Sequence, residues 1–246
     1  MYKTILPATA LLTVSVVLTG CQTTANRSTP GYVCRRADGL IEIDGELSET
    51  DWGNACLIDV CHVHQPRGTK QISRTVAHLL RDDEYLYLAF DCEDIDIWSY
   101  SDTPDDELWN GDVVEFFVKP ARHKPLYYEF VIAPNGTLFD GRYPSRGAGG
   151  YKRFKPWTSG TRIATRIRGT DSDWTDTDQG YTVEAAIPMS AFAESGVPQP
   201  GATWTFSAFR YDYSKAYEAP LLLMVIPHAP DWGFHYYEGY LPLVFE

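Results

Sequence analysis

The sequence predicts an all-β fold: a sandwich of two antiparallel sheets, like immunoglobulin or jelly-roll domains, with few short helices. Three observations carry this. Strand-length runs bounded by turn residues recur along the chain, apolar residues within them alternate with a period of two, and 19 Gly and 16 Pro supply frequent turns. The first clear run is 72–80 (QISRTVAHL). In 84–91 (EYLYLAFD), Leu86, Leu88 and Phe90 fall on one face. Next come 113–118 (VVEFFV) and 126–133 (LYYEFVIA), whose Leu126, Tyr128, Phe130 and Ile132 share a face. Pro134-Asn135-Gly136 turns this run into a short one over 137–140. The remaining runs are 161–168 (TRIATRIR), 181–187 (YTVEAAI), 202–211 (ATWTFSAFRY) and 241–245 (LPLVF). Each half-apolar sheet needs a second layer to bury it. Two helical pieces are expected, one capped by Ser48 ahead of Trp52 and one over 188–193.

The 246 residues are 44% hydrophobic and 22% charged, with 21 Lys+Arg against 33 Asp+Glu and a formal charge of −12. That is a globular composition, and its acidity argues against nucleic acid as a partner, since a phosphate backbone would be repelled. Aromatic residues reach 14%, with 7 Trp and 16 Tyr, more flat amphipathic rings than an ordinary core requires.

Residues 1–20 contain Lys3, an apolar run over 5–18 and then Leu18-Thr19-Gly20-Cys21. The run is shorter than the ~20 residues that span a bilayer. The segment resembles the bacterial lipoprotein signal, which implies lipidation of Cys21 as the new N-terminus and attachment to the cell envelope. Gln22 stands where an Asp would resemble the inner-membrane retention signal, so the outer membrane is expected. Residues 21–33 then read as the lipidated Cys and a polar tether, and 34–246 as one domain. With Cys21 lipidated, Cys34, Cys56, Cys61 and Cys92 remain, an even number that predicts two disulfides in an exported chain. An extended 57–60 separates Cys56 from Cys61 by about 16 Å, which favours pairing each with Cys34 or Cys92.

An ordered set of motifs spans the domain. It opens with Ile43-Asp44-Gly45-Glu46-Leu47, Trp52 and Ala55, and continues through Leu86-Tyr87-Leu88-Ala89-Phe90 with Asp94. Trp109-Asn110-Gly111-Asp112-Val113-Val114-Glu115-Phe116-Phe117, Tyr128-Glu129-Phe130, Pro134-Asn135-Gly136 and Tyr181-Thr182-Val183-Glu184-Ala185-Ala186-Ile187-Pro188 follow, then Gly201-Ala202-Thr203-Trp204 and Phe209-Arg210. This set resembles the family 9 carbohydrate-binding modules. The resemblance implies a non-catalytic β-sandwich, often appended to glycoside hydrolases, that holds a glucan- or xylan-type saccharide between two aromatic rings. It implies Trp109 as one ring, Glu115 as a hydroxyl-binding acid and Trp232 as the second ring. The strand after Glu115 departs from the pattern, carrying Val131 and Ala133 where polar hydroxyl-binding residues are expected.

The residues themselves support such a site. Sugars present C–H faces and a rim of hydroxyls, which call for a flat apolar platform edged by polar groups. Glu115 alternates with Val113 and Phe117, so this carboxylate shares a face with apolar side chains and needs a partner. Sugar hydroxyls could serve, as could an inward Arg such as Arg210, itself a candidate saccharide contact. Asp94, Asp96, Asp102, Asp105 and Asp106 crowd the segment before Trp109, a density of hard oxygen ligands compatible with calcium, which the resemblance also implies for some members. Two other readings compete. Sandwiches of this kind also occur as haem-binding cytochrome domains, and Met189, Met224, His78, His228 and His235 could ligate, with Cys56-x4-Cys61-His62 resembling a widened haem attachment site. Glu115 and Glu129 on adjacent strands could also act as a glycosidase pair.

Overall fold

The structure, a computed structural model, describes residues 31–64, 73–146, 157–217, 219–230 and 233–246. Its strands are β1 (Tyr32–Arg36), β2 (Cys56–Asp59), β3 (His62–Val63), β4 (Thr75–Arg81), β5 (Tyr85–Cys92), β6 (Val113–Lys119) and β7 (Tyr127–Ile132). β8 (Leu138–Tyr143), β9 (Arg162–Arg168), β10 (Gly180–Pro188), β11 (Thr203–Asp212), β12 (Leu221–Met224) and β13 (Leu241–Phe245) follow. Helical structure among the described residues is limited to short 3₁₀ turns.

One sheet runs β8-β7-β6-β11-β13, with β12 against the second half of β11 and β3 against β12. The other runs β4-β5-β10-β9, with β2 on the free edge of β4. Pairing is antiparallel throughout except at β1, which is parallel to β13 through Tyr32, Val33 and Cys34 and parallel to β4 through Arg35 and Arg36. A single strand thus joins the two layers into one curled sheet.

The main core lies between the layers. Val114, Phe116, Val118 and Phe130 meet Leu79, Leu88, Phe90 and Val183, all at 1% exposure or less. Each such side chain contributes roughly 1.5–3 kcal/mol on leaving water. The faces pointing away from this core are covered too, so the half-exposed alternation expected from sequence does not hold; β6 and β7 are buried at every position. On the β4-β5-β10 side, Ala37, Ile41, Trp52 and Ala55 pack on Leu80, Tyr87, Ala89 and Ala186. On the other side Phe234 stacks on Phe209 (4.0 Å, 8°), while His235 and Tyr240 lie against Phe117.

Burying both faces traps acids that alternation alone would place in water. Glu184 on β10 is fully buried and accepts from the backbone N–H of Asp44 (3.0 Å) and Gly45 (2.9 Å) and from Trp52 Nε1 (3.1 Å). This one carboxylate fastens the 43–52 segment to the sheet.

Several expectations are corrected. The turn over Thr50–Asn54 follows Glu49 rather than Ser48 and has no side-chain cap, with Trp52 N–H donating to the Glu49 carbonyl at 3.1 Å. β1 starts at Tyr32, inside the segment expected as tether. Neither expected disulfide forms: Cys34, Cys56 and Cys92 are free buried thiols on three different strands. Burial pushes the Cys34 thiol far up and Cys92 up to about 12, so these are apolar packing groups rather than reactive ones. Cys61 is half-buried between β2 and β3. Cys21, the tether over 21–30 and Trp232 lie outside the described residues. No helix among those described is long and apolar enough to cross a membrane.

Candidate functional site

Trp109 sits in a 3₁₀ turn over Leu108–Asn110, immediately before β6. Its half-buried ring stands edge-on to Phe139 of β8, with centroids 5.5 Å apart at 84°. The turn is clamped from two sides. Tyr213 Oη donates to the Trp109 carbonyl at 2.9 Å, and Asp112 accepts from the N–H of Trp98 (2.7 Å) and of Tyr213 (2.6 Å). Only glycine fits at 111, because a Cβ there would lie 2.6 Å from Tyr100 N and 2.8 Å from the Trp98 carbonyl oxygen.

Register places Glu115 in relation to this ring. Across the outer face of the β11-β6-β7-β8 sheet, Phe209, Glu115, Val131 and Phe139 are successive partners in one transverse row. Trp109 therefore stands on the end of the row that contains Glu115. Val131 and Ala133, where the sequence departs from the expected polar pattern, are fully buried beside Leu108, Val113 and Phe139. Their apolar side chains form the floor beneath Trp109.

Glu115 is 3% exposed and accepts no hydrogen bond from any described residue. Burial raises its carboxyl well above the ordinary range, and the neighbouring Glu129 raises it further. Glu129 is also raised by burial, with His235 and the Tyr143 hydroxyl pulling the other way.

Arg210 is not part of this site. It pairs with Val114 rather than Glu115, so it points to the opposite face of the sheet, and it is wholly buried there. Its Nη1 donates to Thr75 Oγ1 (2.9 Å) and the Glu93 carbonyl (2.7 Å), its Nη2 donates to Asp94 (2.9 Å), and Asp212 lies 3.8 Å away. This overturns both sequence expectations for it, the saccharide contact and the ion-pair partner of Glu115.

The acid crowd before Trp109 also resolves differently from its sequence reading. Asp94 and Asp96 are buried, while Asp102 is exposed and Asp105 and Asp106 belong to a separate turn. Among the described residues the carboxylates within 4.8 Å of one another are Asp94, Asp112 and Asp212. Arg210 lies among them, and each also accepts from another protein donor: Asp94 from Asp96 N–H, Asp112 from Trp98 and Tyr213, Asp212 from Ser73 Oγ. Burial lifts Asp94 to about 6 despite the guanidinium beside it. Three buried carboxylates thus share one guanidinium, burial raises all three acids, and the set, which includes Asp94 of the expected acid crowd, is one that could hold a metal ion. Its evident work is to fix the Trp109 turn through Asp112.

The competing constellations do not assemble. His78 lies on the outer face of β4 against Trp52, whereas Met189 and Met224 are buried in the main core. His235 contacts Tyr127, Phe117 and Tyr143, and His228 is exposed. Glu115 and Glu129 share a face but are 3% and 5% exposed beneath the 233–240 segment, which is not the open cleft a glycosidase pair flanks. A separate groove of about 420 Å³ on the other layer is lined by Leu40, Ile41, Glu42, Ile43, Arg162 and Ile163 and offers no aromatic ring.

Sequence reasoning missed Phe139 and Tyr213 as supports of Trp109, and Tyr143 as a partner of Glu129. None carries a local signal, because each reaches the site through strand register or a distant loop.

Residues 43–220 match the family described as "Carbohydrate family 9 binding domain-like". No curated protein matches the chain in sequence. Among solved structures, a candidate carbohydrate-binding protein from Bacteroides uniformis ATCC 8492 is similar with a TM-score of 0.62 at 15% identity, over 88% of this chain and 100% of that one. A carbohydrate-binding module of family 9 from Caldicellulosiruptor kristjanssonii in complex with cellotriose gives 0.57 at 17% identity, over 87% and 93%. The same module with glucose gives 0.57 at 17% identity, over 87% and 95%. At these identities the likeness shows a shared fold.

Proposed function

Because the chain belongs to the carbohydrate family 9 binding-like domains, a family of non-catalytic binding modules, we propose that it binds a glucan- or xylan-type saccharide at the Trp109 end of the Glu115 row, without cleaving it. The observation that carries this reading is the pairing of a rigidly supported indole with a buried carboxyl that has no hydrogen-bond partner among the described residues. A ring for the C–H face and an acceptor for a hydroxyl are what a pyranose needs side by side. The cellotriose and glucose complexes of the Caldicellulosiruptor kristjanssonii module support the ligand class. Trp232 is the candidate for the second ring.

Calorimetry with cello- and xylo-oligosaccharides tests the site. Stacking on an aromatic platform is worth about 1–3 kcal/mol, so Trp109→Ala weakens binding by roughly tenfold or more. Glu115→Gln, which keeps shape and an acceptor, costs less. Folded variants that both bind a confirmed ligand as tightly as the native protein would place the site elsewhere.

In the cell, the module acts at the envelope, held through lipid on Cys21 with the outer membrane as its site, and gathers polysaccharide for separate glycoside hydrolases. The basis is the Leu18–Cys21 sequence. Fractionation checks it: Cys21→Ala leaves the membrane fraction or fails to mature, and a wild-type protein without lipid mass in the soluble fraction overturns the anchor.

A further inference from the structure

The loop that presents Trp109 also presents a second group of rings. Between β5 and β6 the chain doubles back: Asp112 N–H donates to the Trp98 carbonyl at 2.8 Å, and Gly111 lies against the backbone of Trp98 and Tyr100. By register, this end of the sandwich gathers the C-terminal ends of β5 and β11 and the N-terminal ends of β6 and β10. Tyr100, Trp174 of the 169–179 loop and Tyr213 all stand edge-on to Trp98 there, with centroids 6.4, 5.4 and 5.6 Å away. The Tyr213 hydroxyl, bonded to the Trp109 carbonyl, joins the two groups. Single exposed rings are ordinary, but this is a contiguous group, in which Tyr100 is 47% and Trp174 37% exposed.

Its support is that of a preformed surface. The Trp174 loop is tied to the 95–99 stretch: Ser172 N–H donates to the Ile97 carbonyl (2.9 Å), Asp178 N–H to the Ile95 carbonyl (2.9 Å), Ser99 N–H to Asp171 Oδ1 (2.8 Å) and Ile97 N–H to Asp178 Oδ2 (2.8 Å). The Lys215 ammonium donates to the Trp174 carbonyl. Ser172 is held at φ 62°, a left-handed conformation unusual outside glycine that persists where surrounding contacts fix it. A loop fixed in advance loses little freedom when a ligand settles on it. Acids and hydroxyls edge the rings at Asp171, Ser172, Asp173 and Thr175, and Thr175 donates twice to Asp173, holding that exposed carboxyl below the ordinary range. An acidic rim repels nucleic acid and anionic lipid. It suits a neutral saccharide, whose C–H faces rest on rings and whose hydroxyls donate to carboxylates.

We propose that Trp98, Tyr100 and Trp174 form a second saccharide subsite, which holds further units of the same glycan chain that rests on Trp109. The occupant is the same chain because both ring groups are built on one loop and joined through Tyr213. The ligand class is accordingly a linear oligosaccharide or polysaccharide several units long, and a monosaccharide reaches only one of the two places. This rests on the reading of Trp109 as a sugar-stacking ring.

The test is calorimetry on the full chain with glucose, xylose and cello- and xylo-oligosaccharides of increasing length, with melting curves for each variant. Wild-type affinity rises with chain length. Trp174→Ala weakens binding of the longest chains by roughly tenfold or more, the effect of losing one stacking ring, and leaves the monosaccharides unchanged. Trp109→Ala weakens binding at every length. An affinity independent of length in wild type overturns the proposal, as does a folded Trp174→Ala that keeps wild-type affinity throughout while Trp109→Ala does not; the Trp109 site then stands. An equal loss at every length in Trp174→Ala also overturns it, because the ring then acts only through Trp109. If Trp174→Ala does not fold, Tyr100→Ala is expected to show the same length-dependent loss, and its absence overturns the proposal. A loss in Trp174→Ala with none in Trp109→Ala places the saccharide on this patch and overturns the Trp109 reading instead. Self-association in sedimentation that Trp174→Ala abolishes, with saccharide affinity unchanged, assigns the rings to a second copy and overturns the subsite. A wild-type protein that binds neither series overturns the site and the proposal together.

Discussion

Replacing Arg210 by methionine lowers the stability of the protein by about 3–5 kcal/mol, the usual cost of removing one partner from a buried ion pair, or prevents folding outright. The guanidinium is fully buried and is the cation beside Asp94 and Asp212, with Thr75 and the Glu93 carbonyl completing its shell. Without it those carboxyls must take up protons to stay inside. Asp94 already sits at about 6 with the arginine present, so the variant loses more stability at neutral than at acidic pH. Each folded-state value lies above the ordinary one. Stability is therefore retained at low pH, where the acids are neutral in both states, and falls as pH rises through the folded values. Urea denaturation at several pH values checks this. A variant within about 1 kcal/mol of wild type at neutral pH would show that the network is not a stability element. Since Asp112 ties the same network to the Trp109 turn, any folded fraction also binds saccharide more weakly.

Glu184→Ala has the second large effect. Two backbone donors and the Trp52 indole N–H lose their acceptor together. At about 1–3 kcal/mol for each buried unsatisfied donor, the loss is about 3 kcal/mol or more, reduced where water reaches Asp44. Glu184→Gln keeps one acceptor oxygen and falls between. The denaturation midpoint reports the loss, while saccharide affinity measured well below melting stays unchanged because Glu184 lies on the other layer. An alanine variant as stable as wild type would mean that the 43–52 segment is held by its apolar contacts with Leu80 and Tyr87 alone.

The long strands were legible because period-two alternation registers the inner face directly: Leu86, Leu88 and Phe90 do face the main core. The family was legible from motif order, and the fold with it. Strands β2, β3 and β12 were missed because they are only two to four residues long, too short for a period to show, and β1 because it starts inside the segment read as tether. The covered outer faces were missed for a different reason. Alternation places Glu115, Glu129 and Glu184 away from the core but says nothing of what lies on top of them, and that depends on segments more than 100 residues away in sequence. Arg210 shows the same limit from the other side: it was read as facing Glu115, yet a one-residue step in register places it behind the sheet.

The position of β1 between β13 and β4 governs when the molecule can be finished. The strand precedes the other described strands, but its longer contact, Tyr32 to Cys34 against Leu243 to Phe245, is with β13, roughly 200 residues later. Until then β4 offers it only Leu80 and Arg81, and the 203–206 stretch of β11 has one open edge. The backbone N–H of Glu246 donating to the Cys34 carbonyl, and the Arg81 side chain donating to the Glu246 carbonyl, complete the closure. A nascent chain therefore carries an unzipped seam until β13 is available, and one cut before β13 keeps that seam as a sticky edge open to a second copy. Closure of the seam therefore waits on β13.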